Sequence, residues 1–194
     1  EYVEDVRPDW IIVAGAYCNV DLAETERERC LTVNARGPAA VAAWAHAHGA
    51  RLVFYSTDSI FDGSQEHCME STPGRPLNLY SESKVLGEEL VRRTLPDAHL
   101  ILRTAWLYGR GGTNFVDSIL ARARKGEPLR VVDDQRGSPT STADLAQALV
   151  KLAGAGQYGT YHCTNAGDCT WHDLAVHVLG RAGLAASVAR IDSA

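Results

Sequence analysis

Three continuous apolar runs constrain this chain most: "DWIIVAGAY" (9–17), "RLVFYST" (51–57) and "AHLILRTAWLYG" (98–109). A strand with one wet face alternates apolar and polar residues. A run that is apolar throughout belongs to a strand buried on both faces, as in parallel sheets covered by helices. The segments between the runs have helical composition. Residues 21–50 read as helix, with Gly37-Pro38 marking a break and Gly49 a stop, and a second helix spans Leu79 to Thr94. Downstream, the pattern predicts helices over 114–127, 140–154 and 170–183 and strands over 129–135 and 159–165. Strands alternating with helices of this length predict an α/β fold, a doubly wound parallel sheet.

The 194 residues, 45% of them apolar, suffice for one domain with a real core, or one domain and part of another. Nineteen Lys+Arg against 24 Asp+Glu give a formal charge of -5 without long blocks of one sign, so no footprint for nucleic acid is present. No apolar run approaches the roughly 18 to 20 residues needed to span a bilayer, and "EYVEDVRPDW" lacks the regions of a signal peptide. A cytoplasmic location without membrane attachment is expected. Five cysteines, odd in number and without CxxC spacing, suit reduced thiols. The chain starts at Glu1, without an initiator Met and already in what reads as a helix end, which points to a fragment.

Sheets that bind nucleotides usually open with a strand, a Gly-rich turn and a helix that receives the pyrophosphate. No such unit opens this chain. The literal G-x-G-x-x-G, "GAGQYG" (154–159), follows a helix and precedes a strand, the reverse of the required context. "GRGGTNF" (109–115) precedes a helix but lacks the spacing, and reads as a turn. Cys163, Cys169, His172 and His177 form C-x5-C-x2-H-x4-H, of which only the histidine half fits structural zinc spacing. No metal site is expected there.

The chemistry concentrates in "LYSESK" (79–84). Tyr80 and Lys84 stand at i and i+4 on a predicted helix and share a face. A free phenol, with a pKa near 10, needs a nearby cation to act as an acid–base group at neutral pH, and Lys84 can supply that charge. Thr57 in "YSTD", at the end of the preceding strand, can hold a substrate oxygen beside the phenol, with Asp58 next to it. Ligands bind at such carboxyl ends in open α/β sheets. Alone, Y-x-x-x-K is common on helices.

"YSTDSIFDG", "PLNLYSESKVLGEEL", "LILRTAWLYG", "NFV" and "LRVVDDQRGSPT", in this order, resemble the extended short-chain dehydrogenase/reductase superfamily, and within it the dTDP-4-dehydrorhamnose reductase family. The resemblance runs from about Arg7 to Leu179. It implies a Rossmann-like fold, N-terminally truncated, and a reaction in which NADPH or NADH delivers hydride to the C4 ketone of a dTDP-4-keto-6-deoxy sugar. It makes Tyr80 the proton donor to the C4 oxygen, and Lys84 the residue that tunes it and binds the nicotinamide ribose. Thr57 and Asp58 contact the sugar. Such a reduction needs a general acid because charge develops on the carbonyl oxygen as hydride arrives.

The resemblance also places Ala14, Gly15, Ala16 and Tyr17 beside the cofactor, where small side chains allow close approach; tight helix–strand packing is the other reading of "AGAY". The family often has Ala at Gly15 and Thr at Cys18. Asn34 matches a helix asparagine that supports the local backbone. Trp106 resembles the tryptophan of the sugar site, with a core tryptophan as the rival. Gln135 and Ser138 fall in a segment similar to the one shaping the nucleotide-sugar pocket. The resemblance leaves Mg2+ assistance and a homodimer open.

Residues 1–109 are expected to form a partial NAD(P)-binding domain with the catalytic pair. Residues 110–194 are expected to be mainly substrate-binding, with elements that can return to the first sheet. In the usual 3-2-1-4-5-6 order, the strand at 9–17 would pair with a first strand lying upstream of Glu1, leaving its edge open here. Two alternatives share the scaffold: a non-catalytic regulatory subunit resembling the beta subunit of methionine adenosyltransferase, and a sugar-nucleotide epimerase or dehydratase.

Overall fold

The computed structural model describes residues 2–193. In chain order, α1 (Tyr2–Val6) leads to β1 (Trp10–Val13), then α2 (Val20–Thr25), α3 (Arg27–Leu31), a π-helical segment (Thr32–Arg36) and α4 (Gly37–His48). β2 (Arg51–Thr57) is followed by a short 3-10 turn (Asp58–Ile60), α5 (Leu79–Thr94), β3 (His99–Thr104) and β4 (Leu107–Tyr108). Then come α6 (Phe115–Arg124), β5 (Leu129–Val132), β6 (Arg136–Gly137), β7 (Thr140–Ser141) and α7 (Thr142–Gly154). β8 (Gly159–His162), β9 (Cys169–Thr170), α8 (Trp171–Arg181) and β10 (Val188–Ile191) complete the order.

Two compact units result, one formed by the chain up to Thr104 together with Val150–Cys163, the other by Ala105–Leu149 together with the chain from Thr164 onward. The first holds a four-stranded sheet in the order β1-β2-β3-β8, parallel throughout. The apolar runs form its centre: all of β3 is buried, as are Leu52, Val53 and Phe54 of β2. Ala42 and Ala45 of α4 and Val91 of α5 pack with Leu52, Phe54 and Ile101. Each fully buried large apolar side chain contributes about 1.5–3 kcal/mol.

The predicted helix over 21–50 is real but segmented. Asn19 caps α2, accepting from the Leu22 amide at 3.0 Å, and the chain kinks at Glu26 before α3. The π-helical turn stands directly before Gly37-Pro38, where proline removes a backbone donor. Gly49, with φ 71°, ends α4 in the left-handed conformation that glycine adopts without strain. α5 begins as its sequence requires, with the Asn78 side chain accepting from the Ser81 amide at 2.9 Å.

α5 lies so close to its neighbours that a Cβ on Gly87 would run into the Asn34 carbonyl oxygen and the Phe54 ring. Gly87→Ala should therefore lower the unfolding free energy by on the order of 2 kcal/mol, despite alanine's better helix propensity. Urea unfolding with an unchanged midpoint would contradict this packing.

The run at 98–109 divides. β3 ends at Thr104, and Trp106, with φ 46°, turns the chain so that β4 pairs instead with β7. Residues 105–109 thus join the second unit. That unit has its own core, Ile119, Leu129, Val131, Ala175 and Leu179, with Phe115, Trp171 and Val188 packed against it. Its β10, which the apolar pattern did not predict, pairs in parallel with β5. Thr170 and Asp173 form a reciprocal capping box at the start of α8. Among the described residues, no helix is long and apolar enough to cross a membrane.

Candidate active site

β2 and α5 of the first unit bring Thr57, Asp58, Tyr80 and Lys84 together. Thr57, the last residue of β2, pairs in register with Thr104 at the end of β3, at the carboxyl edge where parallel sheets bind ligands. Its hydroxyl accepts from the Ser59 amide at 3.1 Å and lies 3.2 Å from Asp58 Oδ1, to which it donates. This bond locks the 3-10 turn against the strand end. Ser59 and Ser81 hydroxyls, 2.6 Å apart, tie the same turn to the first turn of α5.

Tyr80 sits on that first turn. Burial pushes its phenol up to about 12, and the neighbouring Cys18 thiol adds to the rise, while the Thr57 hydroxyl pulls the other way. The ligand-free site therefore keeps Tyr80 protonated, the form a proton donor needs. Burial likewise raises the Asp58 carboxyl above its ordinary value. One turn along α5, Lys84 is only 3% exposed. Its Nζ donates to the Tyr55 carbonyl oxygen at 2.6 Å and lies 4.1 Å from the centre of the Phe54 ring. An ammonium has three donors, so Lys84 keeps donors to spare after its bond to Tyr55.

Burial brings the Lys84 pKa down to about 8 from an ordinary 10.5. A cation whose pKa falls on folding is held at a cost: the unfolded chain binds its proton more tightly, so stability rises with pH between the two values and is lost as pH falls through the folded one. Between pH 8 and 10 the native chain should gain on the order of 2 kcal/mol relative to Lys84→Met. Denaturant melts of both proteins across that range test this, and parallel curves would contradict it.

Asn34, in the π-helical turn, organises the rest. Its Oδ1 accepts from the Tyr17 amide at 2.8 Å, and its Nδ2 donates to the Tyr17 carbonyl at 3.0 Å and to Ser83 Oγ at 2.9 Å. Ser83 Oγ in turn donates to the Tyr80 carbonyl at 2.6 Å. One buried amide thus fixes the loop after β1 to the helix turn that carries Tyr80 and Lys84. The widened π turn supplies its place, as such turns often do at functional sites. Ala14, Gly15 and Ala16 are exposed, and a Cβ on Gly15 would meet nothing within 4 Å, so this edge is an open ledge of small residues.

Beneath the site, Glu88 continues the α5 face of Tyr80 and Lys84. Its carboxylate is 1% exposed and receives a fork from Arg103, with Nη2 at 2.7 Å and Nε at 2.9 Å, and a further bond from Arg92 at 3.1 Å. Arg103 also donates to the Glu70 carbonyl at 3.0 Å, securing the segment that links Thr57 to α5. The sequence carried a signal for this pair: an arginine within the apolar run "LILRTAW" needs a buried partner, and Glu88 stands at i+4 from Lys84.

Trp106, Gln135 and Ser138 belong to the second unit. The Trp106 ring stacks on Trp171, centroids 3.5 Å apart and planes at 9°, and fills the space a Cβ on Gly137 would occupy. Gln135 is exposed and donates to Ser193 Oγ at 2.7 Å. The Ser138 carbonyl accepts from Thr140 Oγ1 at 2.9 Å.

A parallel sheet with a Thr, Tyr and Lys at its carboxyl edge defines the class, a Rossmann-like protein of the short-chain dehydrogenase/reductase kind. The chain belongs to the RmlD substrate binding domain family, whose model matches residues 1–194. It is 39% identical over 183 residues to the spore coat polysaccharide biosynthesis protein SpsK of Bacillus subtilis (strain 168), covering 94% of this chain and 64% of that protein. It is 42% identical over 179 residues to a dTDP-4-dehydrorhamnose reductase of Streptomyces griseus, covering 89% of this chain and 59% of the relative. Among solved structures, the dTDP-4-dehydrorhamnose reductase of Bacillus anthracis str. Ames in complex with NADP superposes with a TM-score of 0.94 at 38% identity, over 99% of this chain and 69% of that one. The chain thus spans less than two thirds of the length of these curated relatives.

Proposed function

We propose that the complete protein reduces the C4 ketone of a dTDP-4-keto-6-deoxy sugar, giving dTDP-L-rhamnose or a close relative, with NADPH or NADH as reductant. The observation that carries this reading is the part-buried, protonated Tyr80 phenol beside Thr57 at the carboxyl edge of the sheet, with buried Lys84 one turn further along the same helix. The family and the names of the relatives support the same substrate class.

The reduced nicotinamide supplies hydride to the carbonyl carbon when bound. The open ledge of Ala14, Gly15 and Ala16 and the unspent donors of buried Lys84 fit such a group, the lysine offering N–H to ribose hydroxyls. Tyr17 is held on the same edge by Asn34. On the sugar side, the Thr57 hydroxyl turns its one proton from Asp58 to the C4 oxygen and orients that oxygen towards the phenol. Tyr80 then gives its proton to that oxygen as negative charge develops, so the alkoxide never accumulates. Lys84 stabilises the phenolate that remains and lowers the cost of that transfer. Asp58, whose carboxyl burial raises above its ordinary value, borders the sugar next to Thr57. In the second unit, Trp106 with its apolar ring and Gln135 and Ser138 with their hydrogen-bonding groups are the candidates for contacts to a nucleotide sugar. In domain terms, the first unit carries the catalytic groups and the second is the substrate-binding part. No step is assigned to Mg2+.

The test is NAD(P)H oxidation by the complete protein with a dTDP-4-keto-6-deoxy sugar. Oxidation that depends on the sugar supports a reductase. Binding of both ligands without turnover would instead favour a regulatory subunit on the same scaffold.

A further inference from the structure

The second unit holds a group of side chains that the proposed reduction does not use. Asp133 follows the last residue of β5, and its amide donates to the Ile191 carbonyl of β10 at 3.0 Å. His172 and Asp173 lie in the first turn of α8. The three converge: His172 Nδ1 is 3.9 Å from Asp133 Oδ1 and 4.0 Å from Asp173 Oδ1, and one ligand atom from each residue lies within 4.8 Å of the other two.

The histidine makes this more than a pair of acids. It is 7% exposed, and its Nε2 is 3.2 Å from the Val188 carbonyl oxygen. A carbonyl can only accept, so Nε2 carries the hydrogen and Nδ1 of the neutral ring presents a bare lone pair. Among the described residues, that buried Nδ1 has no hydrogen-bond partner. A lone pair facing two carboxylates is three electron-rich atoms aimed at one point, an arrangement that a cation between them satisfies. A backbone carbonyl fixing the far ring nitrogen is also the usual outer support of a metal-bound histidine.

We infer that Asp133, His172 and Asp173 form a binding site for a divalent transition-metal ion such as Zn2+. Bonds of about 2.0–2.2 Å to nitrogen and oxygen place tetrahedral ligand atoms about 3.4 Å apart, so His172 Nδ1 and each carboxylate oxygen would close by about 0.5 Å and the two carboxylates by up to about 1.4 Å, movements made by side-chain rotation. The imidazole nitrogen selects Zn2+, Co2+ or Ni2+ over Mg2+ and Ca2+. Asp133 presents its two oxygens to different partners: Oδ2 pairs with Arg190, while Oδ1 takes a hydrogen bond from Thr170 Oγ1 at 2.7 Å and keeps a lone pair towards His172. Because Arg190 offsets part of the negative charge, the site binds its ion reversibly, with water completing the coordination. The ion would join the end of β5 to the start of α8 and hold the segment leading into Gln135. Neither Cys163 nor Cys169 belongs to this donor set, which separates it from the C-x5-C-x2-H-x4-H spacing.

The test is titration of the complete protein with CoCl2 and ZnCl2 in a buffer that does not chelate, followed by calorimetry, Co2+ absorption and thermal melts. One equivalent of metal should bind per chain, with a melting temperature that climbs with Zn2+ concentration and no thiolate-to-cobalt charge-transfer band. His172→Gln and Asp173→Asn should each weaken binding at least tenfold, whereas Cys169→Ser should leave it unchanged. If His172→Gln does not fold, as judged by circular dichroism, Asp173→Asn decides alone. Absence of saturable binding, equal binding by the folded variants and wild type, or loss in Cys169→Ser would each overturn the site.

Discussion

Tyr80→Phe in the complete protein should lower kcat for reduction of a dTDP-4-keto-6-deoxy sugar by about 10²–10⁴-fold, the range that a positioned general acid supplies. Affinity for the reduced cofactor should change little. The substitution removes one oxygen and leaves the ring, whose packing partners Ala23, Cys30 and Leu79 are apolar or nearly so. Tyr80 is the part-buried phenol of the site, raised to about 12 by desolvation, so it is a protonated donor across the neutral range. A phenylalanine can fill the space but can give no proton. The fall should therefore appear in kcat rather than in KM, as expected for an interaction made only in the transition state. Thr57→Val should act in the same direction and less strongly, because Thr57 orients the oxygen without protonating it. Stopped-flow measurement of the hydride step separates these effects from product release.

Glu88→Ala should lower the unfolding free energy by about 3–5 kcal/mol, the cost of leaving a buried charge without its partner. Arg103 is 5% exposed and has no water to turn to. Replacing both residues, Glu88→Met with Arg103→Met, should restore much of the loss, since a packed apolar pair of similar volume often matches a buried ion pair. A double variant no more stable than Glu88→Ala would contradict the role of the uncompensated charge. The pair also carries a pH signature. Burial pushes the Glu88 carboxyl up, but the hydrogen bonds and charge of Arg103, aided by Arg92, outweigh it and leave the pKa lowered. A lowered carboxylate contributes stability that is present above its ordinary value and is lost as pH falls through the folded one. Acid melts of wild type should thus steepen below the ordinary carboxylate range, and the double methionine variant should lack that component.

The sheet was legible in the sequence because its strands are buried on both faces: "RLVFYST" and "LILRT" could hardly be anything else. The helix from Leu79 was read from the sequence without its cap, Asn78, which the structure supplies, and Tyr80 with Lys84 followed from helical spacing. What local pattern could not show depends on contacts distant in sequence. Gly37-Pro38 marked a break but not the π-helical turn before it, which exists to seat Asn34 between Tyr17 and Ser83. The turn at Trp106 rests on a positive φ supported by stacking on Trp171, and nothing in "RTAWLYG" announces it. β10, Val188–Ile191, is too short an apolar stretch to stand out and forms because β5 offers an edge. The convergence of Asp133 with His172 likewise depends on where β5 ends relative to α8, which no spacing rule reports.

The central claim is hydride transfer to a sugar carbon with Tyr80 as the acid. Its most direct test gives the complete protein a cofactor deuterated at the nicotinamide C4 transferring position, together with a dTDP-4-keto-6-deoxy sugar, and locates the label in the product by NMR. The mechanism predicts one deuterium on the sugar C4 and a hydroxyl hydrogen exchangeable with solvent. Product without deuterium at C4, or label at another ring carbon, would contradict it.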